Sequence, residues 1–124
     1  MNEENAILFD KIEDQIESMY SEIGLLSKKK PDGPTNKFKL KLINKLLKDA
    51  NLLLGDEYIP FDDFQEFEED NLPTASDVVM ILSQYLKGMN KLRFDNTKYY
   101  QGYYYWVLEG EKDLWLRTKK STYL

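Results

Sequence analysis

Apolar residues in the first part of the chain recur every three or four positions. Phe9, Ile12, Ile16, Met19, Ile23 and Leu26 fall on one side of a helix, and Glu13, Asp14, Glu17 and Glu22 fall mostly on the other. The spacing predicts a helix over about residues 3–27, with Glu3 and Glu4 at the positive end of its dipole and Lys28 to Lys30 at the negative end. Pro31-Asp32-Gly33-Pro34 is turn chemistry, because proline fixes φ and glycine accepts the positive φ that other residues avoid.

A second helical pattern follows, with Thr35 or Asn36 as its N-cap. Phe38, Leu42, Ile43, Leu46, Leu47, Ala50, Leu53 and Leu54 form its expected buried face. Gly55 stands where a left-handed terminating residue is wanted, so the helix is expected over about residues 36–54. An acidic loop over residues 55–73 comes next. Its Phe61, Phe64 and Phe67 are spaced by three, which suggests one helical turn burying all three.

Thr74-Ala75-Ser76-Asp77 fits a capping box ahead of Val78, Ile81, Leu82, Tyr85, Leu86, Met89 and Leu92. This predicts a third helix over about residues 75–97. Arg93-Phe94-Asp95-Asn96 near its end suggests a buried ion pair or a polar helix terminus rather than catalysis. Tyr103 to Leu108 is aromatic and β-branched, and Leu114 to Thr118 reads as its partner strand across a Glu109–Lys112 turn. The expected fold is mainly α: one domain over residues 1–124, a small bundle of three principal helices with a C-terminal β-hairpin (about residues 103–119) packed on it.

Composition narrows the chemistry. The 124 residues include no cysteine and no histidine. This excludes disulfides, thiolate nucleophiles, imidazole bases and metal sites built on those ligands. No P-loop or GxGxxG pattern is present. We expect no enzyme, no cofactor and no metal. The acidic start lacks the basic and apolar regions of a secretory signal, and no apolar run approaches a membrane span. The expectation is a cytoplasmic protein without membrane contact.

The net charge of −5 hides a block pattern. Residues 1–26 carry −6, residues 27–48 carry +7, residues 49–70 carry −9 and residues 71–124 carry +3. Sorted charge of this kind concerns surface and association. Lys37, Lys41, Lys45 and Lys48 share one helical face and suit phosphates, although a solvated face is the commoner meaning of such a stripe. Asp62, Asp63, Glu66 and Glu69 suit a basic partner surface or imitation of a nucleic acid, and they lack the EF-hand pattern. Tyr103, Tyr104, Tyr105, Trp106 and Trp115 concentrate aromatic surface in the hairpin. Strand alternation puts Tyr103 and Tyr105 on one face and Tyr104 and Trp106 on the other, and a helical layer hides only one face.

These features favour a small interaction protein: an accessory subunit, an inhibitor or an immunity-type protein. It would contact a protein partner, or a second copy, through the aromatic hairpin and acidic loop. One alternative is a nucleic-acid-directed protein, binding through the lysine helix and tyrosines or mimicking nucleic acid with the acidic loop. Another is a metal-dependent hydrolase using carboxylates alone, such as Asp62 with Glu66, or Glu109 and Glu111 beside Lys112. The upstream Asp-bearing strand that the second arrangement needs is missing.

Overall fold

The computed structural model describes residues 1–110 and 116–123. Its elements in order are α1 (Glu3–Lys29), α2 (Lys37–Tyr58), α3 (Ala75–Asn96), β1 (Thr97–Tyr100), β2 (Tyr103–Trp106) and β3 (Leu116–Thr118). The protein is mainly α, with a small antiparallel sheet at its C-terminal end. Each helix starts on a side-chain cap that satisfies one of the otherwise unpaired N–H groups of a first turn. Asn2 accepts from the Asn5 amide, Asn36 from the Lys39 amide and Thr74 from the Asp77 amide.

One hydrophobic core draws on all three helices and the sheet. Phe9, Ile16 and Ile23 of α1 meet Ile43, Leu47 and Ala50 of α2, Val78, Tyr85 and Met89 of α3, and Trp106 of β2. The α1 and α2 helices are antiparallel, whereas α2 and α3 run the same way. Tyr85 of α3 bonds Asn51 of α2 at 2.7 Å, and Tyr58 at the end of α2 bonds Asp95 at the end of α3, also at 2.7 Å. The acidic loop is therefore a return crossing, carrying the chain back along the bundle from Tyr58 to Thr74.

Several sequence expectations need correction. Glu13 is fully buried, because its side of α1 faces Arg93 and the strand end rather than solvent. Phe38 is 70% exposed, since it stands two residues before buried Leu40, about 200° around the helix. Leu26 is exposed because it lies past the start of α2. Leu42 is exposed on the outer edge of the α1–α2 seam. The α2 helix runs on to Tyr58 across a kink at Gly55, whose φ of 64° and ψ of −177° are essentially glycine-only.

Phe61, Phe64 and Phe67 do pack together, edge to face, with ring centroids 6.4 and 5.1 Å apart. They do so without a helical turn. The side chain of Asn44 instead takes both backbone groups of Phe67, donating to its carbonyl at 2.9 Å and accepting from its amide at 2.9 Å.

The hairpin expectation holds for β2 against β3, with Tyr104 opposite Thr118, Tyr105 opposite Arg117 and Trp106 opposite Leu116. A further strand precedes it. After Asn96 the chain enters β1 and pairs with β2 in the register Thr97–Trp106 and Tyr100–Tyr103. Gln101 (φ 48°) and Gly102 (φ 91°) form the two-residue turn, whose twist matches that of the strands. The sheet thus has β2 in its centre. Trp115 and the expected turn residues Glu111 and Lys112 lie outside the described residues.

Candidate interaction surface

The sheet rests on the bundle through Trp106. Its side chain is fully buried and meets Phe9 edge to face at 5.2 Å. Its indole N–H donates to Asp10 at 3.3 Å, and the Arg93 guanidinium lies 5.0 Å from its ring centroid. Trp106 is accordingly core and is removed from the expected contact residues. Tyr104 shares its face and packs on Tyr99 across the strands at 5.3 Å.

Alternation sends Tyr103, Tyr105, Tyr100 and Arg117 to the opposite face. Tyr103 is 46% exposed. The Arg117 guanidinium sits 3.6 Å from its ring centroid, a close cation–aromatic stack. The sequence pattern gave Tyr103 and Tyr105 their shared face. Tyr100 belongs to the same aromatic cluster in the sequence, but without strand β1 it had no face; Arg117 was missed, and its alternation within β3 was the available signal.

A buried ionic cluster fixes the sheet against α1 and α3. Arg93 is fully buried and donates to Asp10 at 2.8 Å, to Glu13 at 2.7 Å and to the Thr118 hydroxyl. Thr118 also donates to both Asp10 oxygens, at 3.0 and 3.1 Å. Lys119 reaches Glu13 at 3.0 Å and Glu17 at 3.1 Å. Burial opposes the charge on Lys119. Hydrogen bonding and attraction from Glu13, then Glu17, outweigh it and hold the amine above the ordinary lysine range. The expectation of a buried ion pair at Arg93 is met, and its acidic partners come from α1, 80 and 83 positions away.

The acidic loop lies on the α2–α3 side. Besides Asn44, Asn51 holds it by donating to the Gln65 carbonyl at 3.1 Å. Asn51 simultaneously accepts from Tyr85, whose phenol is pushed up by burial against the lowering effect of that bond. With its backbone tied down and its phenylalanines facing inward, the loop turns Asp62, Asp63, Glu66 and Glu69 outward, all exposed. None of them forms an ion pair with a described residue. Among the described residues no three acids converge as metal ligands would.

Lys37, Lys41, Lys45 and Lys48 are likewise exposed and make no ion pair with a described residue. Lys48 and Glu66 line one surface depression of about 440 Å³, together with Asn51, Leu52 and Gln65, without bonding each other. The lysine stripe therefore borders the acidic loop. No described helix is long and apolar enough to cross a membrane.

Comparison with protein-family models, curated proteins and solved structures finds no match.

Proposed function

We propose that the protein is a non-catalytic interaction protein that binds a protein partner through the outer sheet face, with the acidic loop as a second, charged contact. One observation carries the reading. Tyr103 stands exposed beside Arg117 on the sheet face opposite the one through which Trp106 enters the core. Tyrosine and arginine are the residue types that most often anchor protein interfaces. The loop supports it: its acids are displayed on a tied backbone and form no ion pair with a described residue, which suits a basic partner rim. Accessory subunit, inhibitor and immunity-type protein all fit. A cytoplasmic setting belongs to the same proposal, supported by the cysteine-free composition.

A nucleic-acid partner is the second reading, favoured by the same stacked pair. Aromatic rings with arginine on a sheet face also offer platforms for unpaired bases. Affinity capture from the native host separates the two. Immobilised wild-type chain is compared with Tyr103→Ser/Arg117→Ser, both checked for equal melting temperature. A protein retained by the wild type and lost from the variant supports the first reading. A nuclease-sensitive retained strand, with filter binding that falls steeply with salt, supports the second. Identical capture by both chains removes the sheet face from the function.

A further inference from the structure

A three-helix bundle has three seams between helices, and this chain covers two of them itself. The acidic loop lies along the α2–α3 side, tied by Asn44 and Asn51. The segment from Thr118 to Tyr123 closes the α1–α3 side, tied to Asp10, Glu17 and Asn90. The α1–α2 side is an open groove of about 470 Å³. Its apolar residues include Leu8 and Leu42, exposed at 40% and 39%, and half-buried Met19. Phe38, one turn before Leu42, continues the apolar strip along α2.

The walls of this groove carry a charge order that matches its own inverse. Lys39 of α2 bonds Glu22 of α1 at 2.7 Å, which sets the level of the two antiparallel helices. Counting back from that contact, Lys11 comes level with Ala50, next to Asp49. Asp14 comes level with Leu47, about half a turn from Lys45. At one level the α1 wall is positive and the α2 wall negative. At the next level the signs reverse. Lys11, Lys45 and Asp49 form no ion pair with a described residue, and Asp14 has only a 3.7 Å approach from Lys119.

We propose that the groove is the contact between two copies of this chain, related by a two-fold axis running along it. Rotation about such an axis keeps every residue at its level and brings each α1 wall against the partner's α2 wall. Lys11 then faces Asp49 of the second copy, and Asp14 faces its Lys45. Leu8, Met19, Leu42 and Phe38 go under cover. The four helices form an antiparallel bundle of the ordinary kind, with an isologous interface. This contact is separate from the sheet face and does not depend on the reading given to that face.

Sedimentation equilibrium on the full chain tests the proposal. The wild type should be dimeric with a Kd of about 10 µM or tighter. Lys11→Glu and Asp49→Lys, each alone, set like charges together twice per dimer and should weaken association more than about tenfold. An equimolar mixture of the two variants should dimerise again, because both of its cross-copy pairs are then attractive. A repaired contact within one chain cannot produce that recovery. Leu42→Glu should leave a folded monomer, with the wild-type helical signal in circular dichroism. Lys45→Glu mixed with Asp14→Lys repeats the complementation at the second level if either first variant misfolds. A wild type that stays monomeric to about 200 µM overturns the proposal and leaves the groove to an amphipathic helix of another protein. A dimer that survives Leu42→Glu, or a variant mixture that stays monomeric, overturns it as well.

Discussion

Arg93 and Glu13 form an ion pair at 2.7 Å with both side chains fully withdrawn from solvent, although eighty positions separate them in sequence. Such a pair costs desolvation on both sides, so its two halves depend on each other. Arg93→Ala takes the buried cation from Glu13 and Asp10, leaving Glu13 with Lys119 alone, and should cost about 3–5 kcal/mol. The double variant Arg93→Met/Glu13→Leu should lose less than the single one, since it removes the fully buried carboxylate together with its buried cation. Urea unfolding of the three chains at neutral pH measures this. Equal losses in the single and double variants would mean that packing, not charge, sets the cost.

Trp106 and Tyr103 belong to opposite faces of one strand and should respond oppositely. Trp106→Ala opens a cavity against Phe9 and should cost about 3–5 kcal/mol. Tyr103→Ala, at an exposed position, should change stability by no more than about 0.5 kcal/mol. Thermal melts decide it. A large loss at Tyr103 would place that ring in the structural core of the sheet.

Asn44 substitutes for the hydrogen bonding that a helical turn would have given the loop. Asn44→Ala leaves the amide and carbonyl of Phe67 without partners and should cost about 1–3 kcal/mol. Hydrogen exchange at the Phe67 amide should accelerate well beyond that of the helix amides. Unchanged exchange there would show that the three phenylalanines alone fix the loop.

Tyr58 joins the ends of α2 and α3 through Asp95. Burial, then the hydrogen bond to Asp95, pushes its phenol up to about 12. A raised phenol favours the folded state below the ordinary tyrosine value of about 10. That contribution fades as pH climbs from there through 12. The melting-temperature gap between wild type and Tyr58→Phe should be steady at neutral pH and close across this alkaline window. Asp95 behaves in the opposite sense. The bond from Tyr58, then that from Lys91, holds its carboxyl below the usual range. Its contribution is present above about pH 3.9 and is lost as pH falls through the lowered value. Asp95→Asn should therefore be less stable than wild type at pH 7 and equal to it in strong acid.

The helices were legible because burial imposes a period of 3.6, and because Asn36 and Thr74 announce their starts. Glu13 escaped because periodicity ranks a carboxylate as a surface residue, and only the arrival of Arg93 and Lys119 makes its position tenable. Strand β1 escaped because Gln101-Gly102 lacks the Asn or Asp that usually marks a two-residue turn. The helical turn expected at Phe61 to Phe67 failed because a distant Asn44 offered the backbone a competing partner. The aromatic face was half readable from alternation within β2. The open groove was not readable at all. Its existence depends on which two sides the loop and the tail cover, and those are relations between segments far apart in the chain.

Asp10 receives the Thr118 hydroxyl across 108 positions, and Trp106 across 96. Contacts of such separation set what a part of the fold can do without the rest. The flank of α1 that carries Asp10 and Glu13 meets Arg93 of α3 and Lys119 beyond β3, so α1 paired with α2 alone leaves two carboxylates on that flank without these cations. Closing those long loops costs entropy before the contacts return any stability, so the flank, α3 and β3 gain their stability together rather than one by one.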